Sequence, residues 1–248
     1  MIFAKRELEK AGYFVDTLAL FGGENGNIID ADLLLLPVPA TRDKVNINCA
    51  NSGIILPLGI LNNLPPHIKV FGGGHLSIDN YTDYLSLDSY AIKNSVLTAE
   101  GAISYAIDNT DFSLWKSRIL IIGYGRLGRV LTDRLRAFSP TLTVSARSGK
   151  DISTLQALGI NYIKTDEIQD LYDRFDIVFN TVDIKLSDKE AKRLEGSLFL
   201  DLSSKGGFLN CEAVNFGIEY VKLPSIPAKS APETAGKIIA ETVIELLG

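Results

Sequence analysis

The feature that most constrains this chain is Gly123-Tyr124-Gly125-Arg126-Leu127-Gly128, placed directly behind the apolar run Ile119-Leu120-Ile121-Ile122. A glycine at the first position permits a tight turn out of a strand. At the second it lets an anion approach the backbone, and at the third it lets the next helix pack closely on the sheet. A helix starting there offers free amides and its positive dipole end to phosphates. Glycines at this spacing are common. Their weight here comes from context: an apolar strand precedes them and an amphipathic helix follows. The motif therefore predicts a dinucleotide site that uses Gly123, Tyr124, Gly125, Arg126, Leu127 and Gly128.

From Arg118 onward strands and helices alternate. Strands are expected at Arg118–Gly123, Thr141–Ala146, Asn161–Lys164, Phe175–Thr181, Ser197–Leu202 and Ile218–Leu223. Helical stretches lie between them near Arg126–Phe138, Ile152–Leu158, Asp166–Tyr172, Ser187–Leu194 and Asn210–Phe216. This repetition with short connections predicts an α/β fold, a doubly wound parallel sheet forming a C-terminal NAD(P)-binding Rossmann domain. The second strand ends in Ala146-Arg147-Ser148, with no acid to hold a ribose 2′-hydroxyl. Arg147 and Ser148 suit a 2′-phosphate instead, which predicts NADP rather than NAD. Asn180 and Thr181 end the fourth strand and should lie beside the nicotinamide ribose. Asp201 and Ser203, in Asp201-Leu202-Ser203-Ser204-Lys205, should border the nicotinamide.

The first 97 residues read as a smaller N-terminal α/β domain, with residues 98–248 forming the dinucleotide-binding domain. A helix is expected at Phe3–Lys10 and strands at Tyr13–Leu20, Leu33–Pro37, Ile68–Phe71 and Ser89–Lys93. A polar loop runs from Pro37 to Asn51, and Pro57–Asn63 reads as a short helix. The chain opens on a helix where such a unit usually opens on a strand. Thr98 reads as the cap of a helix over residues 98–111, and Ser230-Ala231-Pro232-Glu233 as a capping box for a helix over 230–247. By analogy with two-domain dehydrogenases these two are expected to act as hinge helices.

A formal net charge of −5 without a basic cluster argues against nucleic acid and anionic membranes as partners. Cys49 and Cys211 form no CxxC pair and imply neither a disulfide nor a zinc site. No cluster of metal ligands and no nucleophile elbow stands out, so no metal is expected. The start of the chain does not read as a signal peptide, and no apolar run is long enough to span a bilayer. A cytoplasmic protein is expected.

The segments Asn94-Ser95-Val96-Leu97-Thr98-Ala99-Glu100-Gly101, Gly123 to Gly128, Ala146-Arg147-Ser148, Phe179-Asn180-Thr181, Asp201 to Lys205 and Ala231-Pro232-Glu233-Thr234-Ala235-Gly236 together resemble dipicolinate synthase A. The likeness runs from about Asp32 to the C-terminus. It implies a short α/β domain followed by a Rossmann domain, and NADP-linked oxidation of dihydrodipicolinate to dipicolinate for endospores (sporulation). It also implies, as partner, a flavoprotein-like second subunit, with a homo-oligomer as a further expectation. The chain departs from the family's usual pattern in its opening strand, in Asp183 where proline is usual, and in Gly206-Gly207-Phe208. Two other readings stay open: a dinucleotide-binding regulatory subunit without turnover, and a dehydrogenase of another small carboxylate.

A dicarboxylate substrate calls for cationic or amide-rich partners. Arg42, in Thr41-Arg42-Asp43, is a candidate for a bidentate grip, and the helix starts at Thr98 and Ser230 offer amides. Ring oxidation also releases a proton. The candidates for its acceptor are His75, which follows three glycines, Glu100, placed in the first turn of the helix begun at Thr98, and Lys205.

Overall fold

The computed structural model describes residues 1–16, 30–48, 55–170, 174–204 and 213–248. It divides into two units, Met1–Asn94 with Pro232–Gly248, and Ser95–Ala231. The division falls inside one long helix.

The larger unit is built on β4 (Arg118–Ile122), β5 (Thr141–Ala146), β6 (Asn161–Lys164), β7 (Ile177–Asn180), β8 (Leu198–Asp201) and β9 (Glu219–Lys222). All neighbours are parallel, in the order β6-β5-β4-β7-β8-β9. This is the doubly wound order, in which the chain leaves the first strand for one side and later returns to the other. The crevice at that reversal lies beyond the carboxyl ends of β4 and β7. Apolar strand residues alternate between two cores because successive side chains point to opposite faces. Ile119 and Ile121 join Val144, Phe179 and Leu200 in one core, with residues of α2 (Asp88–Asp108), α3 (Arg126–Arg136) and α4 (Gly149–Ala157). Leu120 and Ile122 join Val178 and Phe199 in the other, with Ala191 of α5 (Asp188–Arg193). Covering both faces explains why β4, β7 and β8 read as continuous apolar runs.

The smaller unit holds α1 (Ile2–Lys10) and a parallel sheet of β1 (Leu33–Leu35), β2 (Lys69–Gly72) and β3 (Tyr81–Asp83), in that order. Its third described strand is Tyr81–Asp83. The expected strand Ser89–Lys93 is the first turn and a half of α2. Asp88 opens that helix, and Tyr90, Leu97, Ala99, Ala102, Ile103 and Ala106 are its buried apolar residues. The expected strand Tyr13–Leu20 lies partly outside the described residues, and its described part, residues 13–16, is irregular. α7 (Pro232–Leu247) packs on α1. A Cβ on Gly236 would stand 2.5 Å from Phe3 Cβ and 2.8 Å from the Ala4 nitrogen, so the glycine allows the two helices to touch.

Two helix starts differ from expectation. Thr98 is the eleventh residue of α2 and caps nothing, because the helix begins at Asp88. Ser230 closes the short α6 (Ile226–Ser230) and donates its hydroxyl to the Ile226 carbonyl at 3.0 Å, so it is no N-cap for α7. The described parts of two expected helices, Asp166–Tyr172 and Asn210–Phe216, lie in 3-10 segments, Thr165–Asp170 and Ala213–Phe216.

Candidate dinucleotide site

The glycine turn leaves β4 with Gly123 at φ +100°, a region that L side chains rarely enter. A Cβ there would also stand 2.5 Å from Val182 Cγ1. At Gly128 an added Cβ would strike the Gly123 carbonyl, whose carbon would be 2.9 Å away. The protein's own packing therefore accounts for both glycines. It does not account for Gly125. That residue is the N-cap of α3 with φ −79°, and a Cβ there would meet nothing within 4 Å. The missing side chain leaves open space over a helix start that has no side-chain cap. Such a concavity suits a pyrophosphate. Around it Leu127 packs into the core, and Tyr124 is buried with the Arg129 guanidinium 4.6 Å above its ring. Arg126 is exposed.

The turn is braced from both sides. Thr181 donates its hydroxyl to the Ile122 carbonyl at 2.9 Å. The Gly123 amide donates to Ser145 Oγ at 3.1 Å, and Ser145 Oγ lies 3.1 Å from Thr165 Oγ1, all of it buried.

At the end of β5, Ala146 is buried and Arg147 is exposed, with no partner among the described residues. Ser148 caps α4 by accepting the Asp151 amide at 3.1 Å. Asp151 in turn binds Arg129. A cleft of about 410 Å³ is lined by Arg147, Lys164, Thr165, Asp166, Ile184 and Glu190.

On the opposite side, strand register places Ile122, Asn180, Asp201 and Lys222 in one row across the sheet, each the last residue of its strand. Residues in such a row share a face. Asp201 is fully buried there. Its Oδ1 accepts the Ser203 hydroxyl at 2.6 Å, the Ser203 amide at 3.0 Å and Asn180 Nδ2 at 3.0 Å. Its Oδ2 accepts the Tyr220 hydroxyl at 2.7 Å and Lys222 Nζ at 3.2 Å. Lys222 also donates to the Ser203 carbonyl and to Ser203 Oγ. Burial pushes the Asp201 carboxyl up, but the Ser203 hydroxyl, Tyr220, the Ser203 amide and the Lys222 charge together hold it below the usual carboxylate range. Asn180 completes the brace by accepting the Val182 amide at 3.3 Å. Asn180, Asp201 and Ser203 thus hold one another and the chain that leaves β7 and β8. Sequence reading missed Tyr220 and Lys222. Their signal was two polar residues at i and i+2 on a strand, pointing to one face.

The remaining candidates are dispersed. Glu100 is exposed, with Oε1 3.8 Å from Arg134 Nε. Arg134 stands eight residues beyond the start of α3, about 12 Å along its axis from the glycine turn. His75 is exposed and follows Gly74, whose amide donates to Asp83 at 3.0 Å. Arg42 is exposed in a loop that Asp43 organises by accepting the Val45 and Asn46 amides at 2.8 and 2.7 Å. Those hydrogen bonds, first among them that from the Asn46 amide, hold the Asp43 carboxyl well below its ordinary range. Lys205 and the Gly206-Gly207-Phe208 segment lie outside the described residues. Among the described residues no group of His, Cys, Asp or Glu is placed to hold a metal, and no helix is long and apolar enough to cross a membrane.

No family model matches the sequence. The chain is 29% identical over 230 residues to dipicolinate synthase A of Bacillus subtilis (strain 168), a span that covers 87% of this chain and 77% of that protein. This chain resembles dipicolinate synthase A. The crystal structure of the B. subtilis protein superposes with a TM-score of 0.80 at 27% identity, over 90% of this chain and 80% of that one. Its counterpart from Bacillus halodurans gives 0.82 at 25% identity, over 90% and 81%. Two segments that carried the resemblance in sequence have a packing cause. Gly236 meets α1, and a Cβ on Gly101 would stand 2.6 Å from Ser230 Oγ, against α6.

Proposed function

We propose that this protein is an NADP-dependent oxidoreductase of the dipicolinate synthase A type, which oxidises dihydrodipicolinate to dipicolinate. The observation that carries the reading is the open position at Gly125 over a helix start without a side-chain cap, one strand away from Arg147, which is exposed and has no partner among the described residues. Likeness to dipicolinate synthase A over 87% of the chain supports the substrate. When bound, NADP supplies the hydride acceptor. In this reading the amides at the start of α3 hold the pyrophosphate, and Arg147 with Ser148 holds the 2′-phosphate. The Asn180–Asp201–Ser203 brace fixes the chain beside the nicotinamide, and Ala146 and Thr181 shape the walls. Arg42 grips a substrate carboxylate. Oxidation removes a hydride and a proton from the ring, and His75 or Lys205 takes the proton. Glu100, held at Arg134, receives no part in this chemistry, nor do the hydroxyls of Thr98 and Ser230. A flavoprotein-like second subunit, assembly of several copies, a cytoplasmic location and a role in sporulation belong to the same proposal.

One observation favours the alternative of a dinucleotide-binding subunit without turnover. His75 has no orienting partner among the described residues. The deciding assay follows dipicolinate formation from dihydrodipicolinate and NADP, with and without the second subunit. Product supports the proposal. Tight NADP binding without product in either case supports the alternative. Arg147→Ala should weaken NADP by about 1.5–3 kcal/mol, the worth of a hydrogen bond to a charged group, and leave NAD nearly unchanged. Equal losses would remove the 2′-phosphate from the argument.

A further inference from the structure

Lys164 is the last residue of β6, and register sets it directly beside Ala146, the residue before Arg147. The two cations line one cleft with Asp166 and Glu190. Arg147 alone leaves that cleft negative, a poor receptor for a phosphate. Lys164 brings it to neutrality, but its ammonium is held by Glu167 Oε1 at 2.9 Å. Both members of this pair are about half exposed. Exposed pairs of this kind are weak and exchange readily for a better anion. A 2′-phosphate carries nearly two charges and three acceptor oxygens, against one charge on the carboxylate.

We propose that Lys164 is the second cation of the 2′-phosphate site and that Glu167 is its resting counter-ion, displaced when the phosphate enters. The inference rests on the cofactor reading above and adds the residue that sets its selectivity. Without a 2′-phosphate, Lys164 stays on Glu167 and contributes nothing to binding. With one, it changes partner. Glu190 is already committed to the Ser187 amide and hydroxyl, both at 2.7 Å. It therefore does not compete for the freed ammonium as Glu167 does.

The test is calorimetric titration of the full chain with 2′,5′-ADP and with 5′-ADP. The unsubstituted protein should prefer 2′,5′-ADP. Lys164→Met should weaken 2′,5′-ADP about tenfold, as expected for one charge-assisted contact, and leave 5′-ADP within about twofold. Glu167→Gln should tighten 2′,5′-ADP several-fold and leave 5′-ADP unchanged. A Lys164→Met protein that keeps the full preference overturns the inference while the NADP reading stands. No preference in the unsubstituted protein overturns both.

Discussion

Replacing Gly125 by alanine adds one methyl group where it meets no protein atom within 4 Å, on backbone at φ −79° that any residue adopts. At an N-cap, glycine is better than alanine by about 0.5–1 kcal/mol. Alanine restricts the unfolded chain by about 0.4–1 kcal/mol in the opposite sense. The two effects offset, so unfolding should shift by no more than about 0.5 kcal/mol. The same methyl fills the space a pyrophosphate must enter to reach the first amides of α3. Losing one or two hydrogen bonds to a charged group removes roughly 3 kcal/mol, or about 100-fold in affinity. Gly128→Ala is the matched contrast. Its methyl strikes the Gly123 carbonyl, and overpacking of that kind costs about 1–3 kcal/mol. At about 2–4 °C per kcal/mol, Gly128→Ala should lower the Tm by several degrees. Thermal unfolding of both variants, with and without NADP, separates the effects. Gly125→Ala should melt like the parent yet gain far less from NADP, whereas Gly128→Ala should melt early. If Gly125→Ala were stabilised by NADP as fully as the parent, the open position would have nothing to do with phosphate.

The buried brace makes a second prediction. Asp201→Asn leaves Lys222 facing a neutral amide and should destabilise the protein by about 3 kcal/mol at pH 7, measured by urea unfolding. The folded Asp201 carboxyl sits below its unfolded value, so its contribution is complete above the ordinary carboxylate range, near pH 4, and fades as pH falls through the folded value. The gap between parent and variant should therefore narrow in acid, and a gap that widened would reverse the sign of the argument. Gly101→Ala should destabilise by about 1–3 kcal/mol, because its Cβ would crowd Ile226 and stand 2.6 Å from Ser230 Oγ. Combining it with Ser230→Gly removes that hydroxyl and should recover part of the loss, read in the same unfolding curves.

The larger unit was legible because its central strands β4, β7 and β8 are buried on both faces. Ile119 to Ile122 and Ile177 to Phe179 have no polar residue to blur the pattern, and the glycine turn marks where β4 ends. The smaller unit lacked such signals. β3 is Tyr81-Thr82-Asp83, three half-buried residues with no apolar run, while Ser89-Tyr90-Ala91-Ile92-Lys93 has strand composition yet lies in α2. The sequence Thr98-Ala99-Glu100 resembles a helix start because the cap signature is local, and nothing local says that ten helical residues precede it. Ser230 failed for a related reason. Its hydroxyl has two possible backbone partners, and α6 supplies the one behind it, the Ile226 carbonyl.

The site divides along the same line. Backbone-determined features, the glycine turn and the strand ends, can be read residue by residue. What joins neighbouring strands cannot, because it depends on register. Lys164 beside Ala146, and Lys222 beside Asp201, are pairings between residues 18 and 21 positions apart in the chain that exist only once the sheet is aligned. A one-residue slip would turn Lys222 to the opposite face and leave the buried Asp201 carboxylate without its cation. The residues that set the register, Phe199 and Leu200 against Tyr220 and Val221, therefore also fix the charge at the crevice. Core packing and the buried Asp201–Lys222 pair are specified by the same alignment, so a core substitution that shifted β9 would be felt first at Ser203.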